Sequence, residues 1–157
     1  MPEQDTIERA RKDARQGKSP STQAGEFVRE EMDHIREGKH GARSTKQAIA
    51  IGLSKARRAG VKLPPPKAGQ ASSRTRKQAA REVRRSRSGS SATVSRKRSQ
   101  ATTRALKREG RSAASTGALS NQAKSAARKR SKTARSAQAR RAASTRRRER
   151  ASHGGAK

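Results

Sequence analysis

The stretch RSTKQAIAIGLSKARRAG (Arg43–Gly60) decides how the rest of this chain is read. Ile49, Ile51 and Leu53 crowd together there, in a sequence otherwise dominated by Arg, Ser, Ala and Lys. Ser44-Thr45-Lys46-Gln47 fits a capping box, a Ser or Thr followed three residues later by Gln. A helix from Thr45 to Ala59 places Ala48, Ile49, Gly52, Leu53 and Ala56 on one face. Gly60 supplies a left-handed stop, with Val61 folding back on the last turn. Ile51 falls off that face and has no evident partner. Leu63-Pro64-Pro65-Pro66 cannot continue a helix and begins a stiff exit.

Such a face needs a partner, and the preceding segment supplies one. In SPSTQAGEFVREEMDHIREG (Ser19–Gly38), Ser19 and Pro20 make a helix opening. Ala24, Val28, Met32 and Ile35 recur at helical spacing, Phe27 widens the face, and Gly38 ends it. The sequence predicts a helix at 21–37 that packs its stripe on Ile49 and Leu53. Residues 1–18 form a polar N-terminal segment with a short helix from Thr6 to Gln16, stopped by Gly17. The helix-loop-helix head spans 19–63, a Pro/Gly/Ser linker 64–73, and a low-complexity polycationic tail 74–157.

Composition supports that division. Of fourteen large apolar residues after Met1, ten precede Lys67. Residues 1–66 carry 14 Lys and Arg against nine acids, whereas residues 67–157 carry 28 against three, Glu82, Glu109 and Glu149. So few apolar side chains cannot order all 157 residues. The expected fold class is mostly α and disordered: a small N-terminal helix hairpin followed by a long, intrinsically disordered or nascent-helical basic tail. Helical character is expected at 75–86, 100–109 and 119–150. A core of ten large residues leaves the hairpin marginal alone, so it is expected to firm up on forming a homodimer through the head or on binding nucleic acid.

An internal echo links the two halves. IREGKHGARSTKQAIAIGLSKARR (Ile35–Arg58) and LKREGRSAASTGALSNQAKSAARKR (Leu106–Arg130) share Arg-Glu-Gly, a short polar gap, Ser-Thr, and an Ala-containing stretch with a basic end. Chance in a biased composition is one reading; a degenerate second helix hairpin is the other.

The segment Gly38–Gly60 resembles a small bacterial domain family of unknown function with a KQAIAIALSEARRAG-like signature. Lys46-Gln47-Ala48-Ile49-Ala50-Ile51 and Leu53-Ser54 match it, followed by Ala56-Arg57-Arg58-Ala59-Gly60. Gly52 stands where alanine is usual and Lys55 where an acid is usual, which implies a looser and more basic copy. The resemblance covers residues 19–66 and implies a bacterial origin and a helical head, but no activity. In composition, the tail is similar to the basic tails of linker histones and bacterial histone-like proteins.

The absence of cysteine excludes disulfides and thiolate chemistry. No apolar run reaches the ~20 residues of a membrane span, so a cytoplasmic, nucleoid location without membrane contact is expected. His34, His40 and His153 show no metal spacing with a carboxylate set, and Glu30, Glu31 and Asp33 read as ion pairs on a helix surface. Neither a catalytic constellation nor a cofactor motif is found, and no enzyme activity is expected.

What remains is phosphate chemistry. The expected nucleic-acid grips are Arg84-Arg85, Arg96-Lys97-Arg98, Arg128-Lys129-Arg130, Arg140-Arg141 and Arg146-Arg147-Arg148, helped by Lys46, Arg57 and Arg58 on the second head helix. That helix reads either as a recognition helix or as a core helix with incidental surface charge. With Phe27 the one aromatic residue, base-stacking platforms are excluded. The sequence thus points to non-specific binding and compaction of duplex DNA in the manner of a nucleoid-associated protein, the alternative being an RNA- or ribosome-associated basic protein. Ser88, Ser99, Ser131 and Ser144 follow arginines, and phosphorylation there would subtract charge.

Overall fold

A computed structural model describes residues 2–88 and 95–154. Those residues form seven α-helices and one 3-10 turn: α1 (Gln4–Arg15), α2 (Pro20–Arg36), α3 (Thr45–Arg58), α4 (Ser73–Arg87), α5 (Arg96–Lys107), the turn Ser112–Ala114, α6 (Thr116–Arg128) and α7 (Lys132–Gly154). Two compact units result, Met1–Leu119 and Ser120–Lys157.

The head helices open and close on the expected residues. Ser19 Oγ accepts from the Thr22 N–H at 3.3 Å, and Ser44 Oγ accepts from the Gln47 N–H at 3.2 Å. Gln47 Oε1 reaches back to the Arg43 N–H at 2.8 Å, one residue earlier than a standard capping box. Gly38 and Gly60 adopt φ of +79° and +95°, the left-handed stops that only glycine takes without strain.

Packing divides the head core into two clusters. Phe27, Ala24 and Ala56 gather with Ala10 of α1, joined by Ile7, Leu53, Val61 and Leu63. Met32, Ile35, Ala42 and Ala48 form the other with Ala113 and Ala114, flanked by Val28, Ile49 and Leu119. Ile51 belongs to neither. α1 is thus part of the core, lying on α2 through Ile7 and Ala10.

Two readings of the resemblance change. Gly52 lies where α3 crosses α2; a Cβ there would stand 2.7 Å from Val28 Cα and 2.9 Å from Phe27 O. The missing methyl brings the helices closer instead of loosening them. Lys55 adds little surface charge, because its Nζ lies 3.0 Å from Glu30 Oε1 and 2.8 Å from Glu31 Oε2.

The expectation of a mostly disordered chain with a long disordered or nascent-helical tail is overturned. Beyond Gln70 the described residues are organised into four α-helices and the 3-10 turn. For α4 and the 3-10 turn the physical reason is buried alanine, which counting only large apolar residues missed; α5, α6 and α7 rest on the helix propensity of Ala, Arg and Lys. Ala79, Ala113 and Ala114 are buried, so short side chains bring backbones together where no Leu or Ile exists. Serines also cap these helices. Ser72, Ser115 and Ser131 accept from the Thr75, Ala118 and Ala134 N–H groups. Within helices, Thr103, Ser136 and Thr145 bond back to the carbonyls four residues earlier.

The internal echo is geometrical as well. Leu106–Arg130 forms a helix, a turn and a helix, as Ile35–Arg58 does. The two turns meet: the Gly41 N–H donates to Leu106 O at 2.9 Å and the Ala42 N–H to Gly110 O at 3.1 Å. Thr45 Oγ1 then donates to Ala113 O at 2.7 Å, and Arg36 Nε to Ala114 O at 3.1 Å.

Candidate nucleic-acid interface

Within the first unit, α4 sorts its side chains by charge. Ala79 and Glu82 are buried, and Val83 is half-buried. Arg74, Lys77, Arg81, Arg84 and Arg85 are exposed. Glu82 accepts from Ser54 Oγ at 2.5 Å and from Gln78 Nε2 at 3.2 Å, and lies 3.9 Å from Arg57 Nη1. The acid of this helix is therefore turned toward α3 and these five basic side chains outward, while Arg76 is half-buried.

Arg57, expected among the grips, is 6% exposed. Burial pushes its guanidinium below the ordinary range, against the pull of Glu82. It also reaches Pro64 O at 3.5 Å and belongs to the interior, not to a binding surface. Lys46 and Arg58 are exposed at opposite ends of α3, with Arg58 Nε folded onto Ser54 O at 3.3 Å. Lys55 and Arg57 thus face inward, and α3 contributes Ala48, Gly52 and Ala56 to the core.

Arg96 and Lys97 open α5 and are exposed; the side chain of Arg98 lies outside the described residues. In the second unit Arg128, Lys129, Arg130, Arg140, Arg141, Arg146, Arg147 and Arg148 are all exposed. Arg128 and Lys129 line a shallow depression along α6 with Asn121, Lys124 and Ser125. Residues 120–157 carry 13 Lys and Arg against the single acid Glu149.

The arrangement on α7 differs from that on α4. At ~100° per residue, Arg141 and Arg148 fall on one side of the helix, Lys132, Arg135, Arg146 and Arg150 on the opposite side, and Arg140 and Arg147 between them. The helix has 23 residues, a length of about 34 Å. Over residues 67–157 there are 28 basic side chains in 91 residues. At helical rise that is roughly one per 5 Å, against one phosphate charge per ~1.7 Å of duplex.

Two acids of the head are interior as well. Glu30 and Glu31, expected on a helix surface, are 4% and 0% exposed. Burial works to raise the Glu30 carboxyl, but hydrogen bonds from Lys55, the Glu3 N–H and Thr6 outweigh it and hold it below its ordinary value. The structure also brings Glu31, His34 and His40 together, with a ligating atom of each within 4.8 Å of the others. Sequence spacing shows half of this, since Glu31 and His34 are three apart on α2. His40 is returned by the Gly38 turn, in which the Lys39 N–H bonds His34 O at 3.0 Å.

Residues 3–67 match the model of a family of unknown function (DUF6496). The match takes in α1, α2 and α3 and supports a small domain of unknown function there. It ends before α4. No curated protein and no solved structure matches the chain. Among the described residues, no helix is long and apolar enough to cross a membrane.

Proposed function

We propose that the protein binds nucleic acid without sequence selectivity, prefers duplex DNA, and neutralises and bridges it in the manner of a nucleoid-associated, histone-like protein. The observation that carries this reading is the placement of arginine on two sides of α7. A helix cationic on one side coats one polyanion, as the outward face of α4 would. A helix cationic on opposite sides can contact two. Arginine suits the task through bidentate phosphate contacts and release of condensed counter-ions. The head would present α4 on a rigid support, because its acid and its docking contacts face α3.

The test is a salt titration of the full chain against matched duplex DNA and structured RNA. Duplex affinity at least equal to that for RNA, with a log–log salt slope steeper than about −6, is the expected result. A clear preference for RNA would move the function to the RNA- or ribosome-associated class. A slope near zero would rule out phosphate neutralisation altogether.

A further inference from the structure

We propose that Glu31, His34 and His40 form a binding site for one divalent transition-metal ion of the zinc type. In a chain of net charge +30, this corner of the head is locally acidic. Glu3, Glu30, Glu31 and Glu37 gather around Lys39 and Lys55. Glu31 is 0% exposed, and neither carboxylate oxygen has an aligned hydrogen-bond donor. Lys55 Nζ lies 2.8 Å from Oε2, which balances charge on that side and leaves Oε1 facing the histidines.

The distances suit a metal better than they suit a hydrogen bond. His40 Nε2 stands 3.4 Å from Glu31 Oε1. That is long and poorly aligned for N–H···O, yet it matches the ligand-to-ligand edge of a tetrahedral ion with bonds of ~2.0–2.2 Å, roughly 3.3–3.6 Å. The two rings lie edge to face with centroids 6.2 Å apart. Each imidazole is also oriented from behind, the arrangement that ligating histidines need. His40 Nδ1 meets Gly41 O at 3.1 Å, and His34 Nε2 meets Glu3 Oε1 at 2.8 Å.

Two imidazoles and one carboxylate favour Zn2+ or its neighbours over Mg2+ and Ca2+, which require mainly oxygen. An ion there would fasten α2 to residues 38–42, the turn that receives Leu106 O and Gly110 O. With the histidine side chains 13% and 16% exposed, a fourth position can be taken by water.

The experiment uses the full-length protein after removal of metal with a chelator and its exchange into clean buffer. Zn2+ is titrated in competition with a chromophoric chelator, with Mg2+ as the comparison. Histidine acylation is then mapped by peptide mass spectrometry with and without Zn2+. Expected are one Zn2+ per chain, no competition by Mg2+, and at least tenfold protection of His34 and His40 but not of His153. His34→Ala and His40→Ala should each weaken Zn2+ about 10–100-fold, while His153→Ala should not. No stoichiometric binding overturns the proposal. So does equal protection of all three histidines, a mapping on unmodified protein that does not depend on the variants folding.

Discussion

The Ser54 hydroxyl donates to Glu82 Oε1 at 2.5 Å, so the one acid of α4 is held against α3 while Arg74, Arg81, Arg84 and Arg85 are exposed. Glu82→Ala should therefore release α4 instead of merely changing surface charge. It strips Arg57 of its carboxylate and leaves a buried donor unpaired, a loss of about 1–3 kcal/mol. Urea unfolding should show that loss, and hydrogen exchange should show the α4 amides losing protection before those of α2.

Gly41 has no room for a side chain. A Cβ at that position would lie 1.9 Å from Glu109 O and 2.6 Å from Gly110 O, both backbone atoms that cannot swing aside. Gly41→Ala should separate the two turns and cost more than about 2 kcal/mol, as overpacking against fixed atoms does. The amide at position 42 should then exchange much faster while α2 and α3 keep their helical signal.

Two glycines in the head helices should respond with opposite signs. Gly25 is exposed on α2 and a Cβ there meets nothing within 4 Å. Gly25→Ala should stabilise by about 0.5–1 kcal/mol through helix propensity. Gly52→Ala drives a methyl into Val28 and should destabilise by about 1–3 kcal/mol. Thermal melts of the two variants settle the comparison.

Arginines of one helical region and its neighbour should separate stability from binding. Replacing Arg84 and Arg85 with Ala should leave unfolding within about 0.5 kcal/mol and make the salt slope of DNA binding shallower by nearly 2. Arg57→Ala should do the reverse, costing about 1–3 kcal/mol of stability with little change in slope. Paired urea and salt titrations read both quantities.

In the proposed reading, bridging depends on the second side of α7. Changing Arg141 and Arg148 to Gln should preserve binding of a first duplex to within a few-fold at low salt. Capture of a second, differently labelled duplex should fall by tenfold or more. Equal loss of both activities would mean that α7 coats one duplex only.

Local features of this fold are legible in residue order. Ser19 and Ser44 as caps, and Gly38 and Gly60 as stops, depend on neighbours within four residues, and each does what its type predicts. Exposed arginines are also readable, because an unpaired guanidinium is costly to bury. Arg57 departs from that rule because Glu82, 25 positions later, comes back to it, and nothing near Arg57 announces the pairing. The same distance problem hides the Glu31, His34 and His40 cluster: Glu31 and His34 share a helix face, but His40 joins them only through a turn. The larger misreading concerns alanine. Ala79, Ala113 and Ala114 look like diluents in a charged segment, yet their small volume is what admits α4 and the 3-10 turn to the head.

A core built so largely from alanine also shapes how the protein responds to temperature. Each ordered residue removes less apolar surface from water than a Leu- or Ile-filled interior would, and the heat-capacity change on unfolding follows that surface. It should fall below the usual ~12–15 cal/mol/K per residue. The stability curve is then broad and shallow. Modest cooling strengthens such a head little, and modest warming weakens it little, so its grip on any partner is governed more by salt than by heat.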